Sequence, residues 1–192
     1  MHAKLSSLEV LVLDCQAAGA TPAHGDLLEL GWGFCGASGL STPVAAHWIA
    51  RNSDRPVPRA VRELTGWSEA NAAEAVADHE AWARLCSAIT ARAPAEPVPT
   101  VIHFARFELG FLRELHARLG GPAGFPFDTL CLHAIAARLF PDLPRRNIRA
   151  LAGFLGHSTE LVRRAQGHVL ASAHIWRALL PHLDQAGVST WH

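Results

Sequence analysis

Residues 9–19, Glu9-Val-Leu-Val-Leu-Asp14-Cys-Gln16-Ala-Ala-Gly19, predict a buried strand that ends in polar side chains. Its four consecutive apolar residues, Val10 to Leu13, are typical of a central strand that is buried on both faces. Because alternate residues of a strand share a face, the side chains of Asp14 and Gln16 are predicted to point the same way. The strand therefore ends in two polar side chains, at the edge where α/β sheets place their ligands.

The rest of the chain predicts an α/β domain around a mixed sheet. Gly, Ser, Thr and Pro separate two further strand-like runs, and no helix fits between them, so the first three strands should form an antiparallel meander. A second central strand, Thr100-Val-Ile-His103, is followed by apolar residues at helical spacing. Strands are expected over 9–14, 27–35, 44–50 and 100–103, and helices over 59–65, 68–92, 107–119, 128–140, 147–155 and 168–184.

The length favours one domain over residues 1–192, with its core at about 8–183. Residues 93–99, Ala93-Pro-Ala-Glu-Pro-Val-Pro99, could pass for a linker, but so short a segment favours a stiff loop within one domain.

Composition excludes several classes of protein. Hydrophobic residues make up 49% of the chain and charged residues 18%, which is too apolar for a disordered chain, and no apolar run is long enough for a spanning helix. Seventeen basic residues balance seventeen acidic ones, so bulk positive charge does not hold this protein on nucleic acid. The scattered cysteines and the strand close to Met1 predict a cytoplasmic protein without a signal peptide, a disulfide frame or membrane contact.

The segment Gly31-Trp-Gly33-Phe-Cys-Gly36 fits the dinucleotide-binding pattern G-x-G-x-x-G. That pattern binds a pyrophosphate only where a helix begins inside it. Here the glycines lie within a predicted strand, so a dinucleotide site is not expected.

Three segments carry candidate chemistry: Asp14 to Gly19, His103-Phe-Ala-Arg-Phe-Glu108, and Gln166-Gly-His168-Val-Leu-Ala-Ser-Ala173. If the two central strands are neighbours, Asp14, Gln16 and Glu108 converge at their carboxyl ends. On residue type alone, Asp14 and Glu108 could also be a strand end and a helix N-terminal carboxylate.

Taken in order, these segments resemble the DEDDh-type 3′–5′ exonucleases, the family of the proofreading epsilon subunit of bacterial DNA polymerase III. The first motif, D-x-E-T/S-T-G, corresponds to Asp14–Gly19, and H-N-x-x-F-D-x-x-F-L corresponds to residues 103–112. The third motif, His followed five positions later by Asp, falls on His168 and Ala173. The shorter segments Leu27–Gly31, Pro58–Gly66 and Phe125–Leu130 also match the family pattern. The resemblance implies a ribonuclease-H-like α/β fold with a central mixed five-stranded sheet flanked by helices.

The resemblance also implies roles for the site residues. In the family, four carboxylates hold two divalent ions that activate a water, and a histidine acts as general base. By position, His168 would be the base, Asp14 would bridge both ions and Glu108 would be the other remaining ligand. Catalysis would require Mg²⁺ or Mn²⁺, and a protein that has lost the reaction would require neither.

Two ligand positions depart from the family pattern. Gln16 offers a neutral carbonyl oxygen where the family has glutamate, and Ala173 offers no donor where it has aspartate. Losing both carboxylates should weaken metal binding by several kcal/mol. A replacement site that uses the adjacent His174 is disfavoured, because consecutive helix positions point about 100° apart.

Other positions are expected to contact nucleic acid. Trp67 could stack on a base or pack at the rim of the site. The region from residue 138 onward carries seven arginines against three acids, which suits a phosphate backbone or ordinary helix ends equally well. The expected contacts are Ala17, Ala18, Gly19, Phe104, Phe107, Trp67, Arg163 and Arg164.

The leading hypothesis is a nucleic-acid-binding domain with a degraded two-metal site, which binds single-stranded 3′ ends and has little or no nuclease activity. A slow or metal-shifted 3′–5′ exonuclease on DNA or RNA is the alternative. A third hypothesis is an interaction module that binds only protein, through the acidic region 63–80 or an apolar face. A protein partner is expected to belong to a replication, repair or other nucleic-acid-processing complex.

Overall fold

A mixed β-sheet with helices on both faces forms the centre of the computed structural model, which describes residues 3–92, 97–120, 124–160 and 162–191. Its strands are β1 (Val10–Ala17), β2 (Leu27–Gly36), β3 (Gly39–Leu40), β4 (Ala45–Trp48), β5 (Val98–Ile102) and β6 (Phe127–Cys131). The helices are α1 (Arg59–Thr65), α2 (Glu69–Ala73), α3 (Asp78–Arg92), α4 (Ala105–Leu119), α5 (Leu132–Leu139), α6 (Ile148–Phe154) and α7 (Ala165–Gln185).

The sheet has six strands rather than the five expected. Its order is β3-β2-β1-β5-β6, and β4 pairs with β2 beside β3. The long strand β2 takes β4 along Glu29–Trp32 and the two-residue β3 along Cys35–Gly36, which is why one edge carries two short partners. The pairings β1–β2, β2–β3 and β2–β4 are antiparallel, whereas β1–β5 and β5–β6 are parallel, so the predicted mixed sheet and its opening meander are confirmed.

Two predicted helices differ from the structure. The segment from Phe127 to Cys131 is strand β6, because its backbone pairs with β5, and the helix begins only at Leu132. The helix predicted from Ser68 to Arg92 is interrupted around Val76, whose N–H donates to the Trp48 carbonyl and whose carbonyl accepts from the Ala50 N–H. These bonds to the end of β4 replace helical ones and split the segment into α2 and α3.

Residue type explains two helix boundaries. Gly66 ends α1 with φ +77°, a left-handed conformation that favours glycine. Asn147 caps α6 by accepting a hydrogen bond from the Ala150 N–H at 3.0 Å. The 27–36 segment is a strand, so its glycines do not form a dinucleotide loop. Residues 93–96 of the predicted loop lie outside the described residues.

Strand β1 separates two apolar layers. Val10 and Val12 pack with α5, α6 and α7, whereas Leu11 and Leu13 pack with α3 and α4 on the other face. By the same alternation, Asp14 and Gln16 lie on the α7 side of the sheet. No helix of the described part of the chain is long and apolar enough to cross a membrane.

The two ends of the described chain pair with each other. The Leu5 N–H donates to the Ser189 carbonyl at 2.9 Å, and the Trp191 N–H donates to the Ala3 carbonyl at 3.1 Å. The Trp191 indole also donates to Asp128 at 2.7 Å, which ties this end to β6.

Candidate functional site

Most of the predicted site residues line one cleft at the carboxyl end of β1. The cleft has a volume of about 190 Å³. The predicted residues in its wall are Asp14, Gln16, Ala17, Phe104, Phe107, Glu108, Arg163 and His168. The structure therefore brings together residues from β1, α4 and α7 that are far apart in sequence.

Asp14 and His168 form the centre of the cleft. Nδ1 of His168, on the first turn of α7, lies 3.0 Å from Oδ1 of Asp14. Burial by itself lowers the pKa of His168, but the charge and hydrogen bond of Asp14 outweigh it, so the net pKa is raised. The protonated imidazole is therefore favoured beside the carboxylate.

Glu108 is turned toward the backbone. Its Oε2 accepts from the Cys15 N–H at 2.8 Å, and its Oε1 accepts from the Phe104 N–H at 3.4 Å. Burial, followed by the charge of Asp14, raises the pKa of Glu108 well above its usual range. The side chain therefore joins the start of α4 to β1, and its oxygens are already engaged as acceptors.

Gln16 is also engaged in a structural contact. Its Nε2 donates to the Arg163 carbonyl at 2.7 Å, and its side chain is almost fully buried. Two oxygens in the cleft, Oδ2 of Asp14 and Oε1 of Gln16, are buried without a hydrogen-bond partner among the described residues.

Ala173 does not reach the cleft. It packs in the apolar layer between β1 and α7, together with Val10 and Val12. The neighbouring His174 does not replace it, because its Nε2 contacts the Leu155 carbonyl at 2.8 Å and its ring lies against His157.

These side chains do not fit a two-metal centre. Within the described ranges no group of three or more His, Cys, Asp or Glu residues is placed to hold a metal ion. Of the two unpaired oxygens, only Oδ2 of Asp14 belongs to a carboxylate, and Oε1 of Gln16 is a neutral amide oxygen, which is a poor donor set for a pair of divalent ions.

The outer wall of the cleft is apolar and partly exposed. Leu64 at the end of α1 is 68% exposed, and Phe104 at the start of α4 is 41% exposed. Phe107 and Ile148 complete this wall. Exposed apolar and aromatic side chains beside a cleft are suited to stacking on a flat ring.

A buried carboxylate that sequence reasoning missed positions α7. Glu29 on β2 is fully buried and accepts from the Ala165 N–H at 2.8 Å and from Arg164 at 2.7 Å. Burial raises the pKa of Glu29, and these two donors oppose that rise. Gly31 lets the helix approach, since a Cβ there would lie 2.9 Å from the Ala165 Cβ. In the sequence, the sign of this role is that Glu29 is the one acidic residue within an otherwise apolar strand.

A second residue that the sequence did not single out as a site residue by itself is His103. It lies in the wall of the cleft, and its Nε2 donates to the Arg146 carbonyl at 3.1 Å. Burial and the nearby His133 lower its pKa to about 4, so the ring is neutral.

The remaining predicted nucleic-acid contacts lie away from the cleft. Trp67 is 3% exposed and packs with Leu28, Trp48 and Val57, so it is a core residue rather than a stacking platform. The Arg164 guanidinium is engaged by Glu29 and lies over the Trp48 ring at 4.5 Å.

Two small residues of the first motif also face elsewhere. Ala18 packs against the cluster that contains Trp67, and its N–H donates to the Asp26 carbonyl at 2.8 Å. Gly19 sits in a tight turn, where a Cβ would lie 2.5 Å from the His24 carbonyl oxygen.

Comparison with known proteins confirms the resemblance to the exonucleases. The chain is 28% identical over 190 residues to a DNA polymerase III subunit epsilon-like protein of Rhodobacter capsulatus, and it spans about a quarter of that relative's length (97% of this chain, 26% of the relative). No family model matches the chain.

Solved structures show the same fold. The zinc-bound form of the Escherichia coli exonuclease I complex with single-stranded DNA aligns with a TM-score of 0.75 and 14% identity, covering 92% of this chain and 41% of that one. Exonuclease X in complex with 5′-overhanging duplex DNA aligns with a TM-score of 0.62 and 17% identity, covering 93% of both chains. The predicted ribonuclease-H-like α/β fold is thus confirmed.

Proposed function

We propose that the cleft binds the 3′ end of a single-stranded nucleic acid and has little or no nuclease activity. The fold is that of exonucleases whose structures hold single-stranded or overhanging DNA. The cleft combines an apolar outer wall, suited to a base, with His168 and Arg163, whose charge suits a phosphate. The protein acts as one domain in the cytoplasm.

One observation carries the loss of catalysis. Both positions at which a ligand is missing have been taken over by other contacts: the Gln16 amide binds the Arg163 carbonyl, and Ala173 lies in the apolar core. A carboxylate at position 16 could not donate to the Arg163 carbonyl, and one at position 173 would lie among apolar side chains. Asp14 and His168 remain, and their role here is to offer a charged, hydrogen-bonded pair to the strand end.

The test is a binding titration combined with a nuclease assay. A 3′-labelled single-stranded oligonucleotide, as DNA and as RNA, is titrated with the protein in chelator at low salt. A circular oligonucleotide of the same sequence is the competitor without an end. We expect a linear strand to bind more tightly than the circle, and Arg163→Ala to weaken that binding.

The same oligonucleotides are then incubated with the protein in Mg²⁺ and in Mn²⁺. We expect the label to remain on the strand. Chelator-sensitive release that Asp14→Ala abolishes would instead establish the slow or metal-shifted exonuclease. If no oligonucleotide binds at low salt, the protein-interaction module becomes the better description.

A further inference from the structure

The segment that leads into α7 is held by contacts with three other elements. The Arg163 carbonyl accepts from Gln16 on β1 at 2.7 Å. The Arg163 guanidinium donates to the Glu63 carbonyl on α1 at 2.9 Å. The next two residues, Arg164 and Ala165, both donate to Glu29 on β2.

We propose that Gln16 is a positioning residue, whose amide holds the segment 163–165, and with it His168, against the cleft. The Gln16 side chain is 6% exposed, and its contact with Arg163 spans 147 residues of sequence. This hydrogen bond attaches the segment to β1, the strand that carries Asp14.

The contact requires a donor at position 16. An amide N–H can donate to the Arg163 carbonyl, but an ionised carboxylate has acceptors only. A glutamate there would place two acceptor oxygens 2.7 Å apart in a buried setting, where an unpaired polar group is costly. The Gln16 amide therefore has a structural role of its own, at a position where the exonuclease pattern has a metal ligand.

The link from this segment to His168 is direct. The His168 N–H donates to the Arg164 carbonyl at 3.0 Å, within the first turn of α7. Releasing the Arg163 carbonyl loosens that turn and moves the imidazole relative to Oδ1 of Asp14. Arg163 also lines the cleft, so both cationic groups depend on the same contact.

The inference concerns the cleft of the proposed function, but hydrogen exchange of the protein alone tests it. Amide exchange is measured in the wild type, in Gln16→Met, which keeps the length and loses the donor, and in Gln16→Glu. The matched control is Gln166→Glu, the same amide-to-acid change at an exposed position in the first turn of α7. The Val12 amide in the core reports global stability.

We expect the His168 amide to exchange about three- to tenfold faster in Gln16→Met and at least as much faster in Gln16→Glu. In the control it should exchange no faster than in the wild type, because a carboxylate in the first turn of a helix stabilises that end. The His168 imidazole resonances should shift in both variants while Val12 keeps its protection. Should Gln16→Glu fail to fold, Gln16→Met carries the test.

Unchanged exchange at residues 163–168 in Gln16→Met would overturn the proposal. A second result would also overturn it. If added Mn²⁺ gave Gln16→Glu both wild-type amide protection at residues 163–168 and nuclease activity, position 16 would act as a metal ligand. Oligonucleotide binding that is absent from every protein, wild type included, would count against the proposed function and leave the exchange result standing.

Discussion

His168 and Asp14 meet at 3.0 Å across 154 residues of sequence, and each side chain sets the electrostatic environment of the other. The carboxylate raises the pKa of the His168 imidazole, although burial by itself lowers it. In turn, the imidazole Nδ1 engages Oδ1 of Asp14 and leaves Oδ2 without a hydrogen-bond partner among the described residues.

Asp14→Asn should lower the pKa of His168 below its wild-type value. Burial lowers that pKa, and in the variant the charge of Asp14 no longer opposes it. NMR titration of the imidazole measures the change, and Asp184→Asn, at an exposed position on the same helix, is the control. An unchanged titration would show that the pair does not form in solution.

Glu29→Ala should lower the free energy of unfolding by about 2–4 kcal/mol, because it leaves the Ala165 N–H and the Arg164 guanidinium without their buried acceptor. Urea denaturation measures it. Glu69→Ala removes an ion pair whose carboxylate is 75% exposed, and should cost about 0.5 kcal/mol or less. Equal losses in the two variants would contradict the role of Glu29 as the anchor of α7.

Ala173→Asp should destabilise the fold by about 3 kcal/mol or more and should not restore a metal site, because the new carboxylate lies in the apolar layer around Val10 and Val12. Leu170→Asp, on the exposed side of the same helix, should cost much less. Thermal unfolding with and without Mn²⁺ measures both effects. A strong stabilisation of Ala173→Asp by Mn²⁺ would instead show that the site can be rebuilt.

Acidification should unfold the protein partly through His103. The folded pKa is about 4, below the ordinary 6.5, so the unfolded chain binds the proton first and stability is lost as the pH falls between these values. Titration of His103 should lower the free energy of unfolding by about 3 kcal/mol between pH 6.5 and pH 4. His133 and His168 face the ring and oppose its protonation.

His103→Gln keeps a donor for the Arg146 carbonyl and removes the titration. Its stability should therefore depend less steeply on pH over this range than that of the wild type, as measured by urea denaturation at several pH values. The exposed His79→Gln is the control. Parallel curves for wild type and His103→Gln would count against a buried neutral ring.

Phe104→Ala should weaken binding of a single-stranded oligonucleotide by about 1–3 kcal/mol, because stacking of one base on an aromatic ring is worth that much. Fluorescence anisotropy measures the affinity. Phe154→Ala removes a ring that is 55% exposed but lies outside the cleft, and should leave binding unchanged. Equal effects of both substitutions would remove Phe104 from the binding site.

The features that were predictable depend on local rules. Alternation along β1 placed Asp14 and Gln16 on one face, and motif order brought His168 and Glu108 to the same cleft. The role of Glu29 was not predictable, because its donors are about 136 residues away and no local pattern marks them. Strand β6 was missed for a similar reason: its residues continue directly into α5, and only the pairing with β5 distinguishes them.

Residue type alone also does not predict which contacts a side chain makes. An alanine and a glutamine stand where the exonuclease pattern has acidic residues, but the sequence does not predict their contacts, which are a core contact for Ala173 and a backbone hydrogen bond for Gln16. Trp67 and Arg164 show the converse, since residue types suited to nucleic acid are used for packing and for positioning α7.

The pairing of residues 3–5 with residues 189–191 has a consequence for protein engineering. Because residues 3–5 and 189–191 lie side by side, we expect residues 3–191 to tolerate insertion into a surface loop of another protein. The inserted domain would include every residue of the cleft, and both of its connections to the host protein would lie close to β6, where Trp191 contacts Asp128.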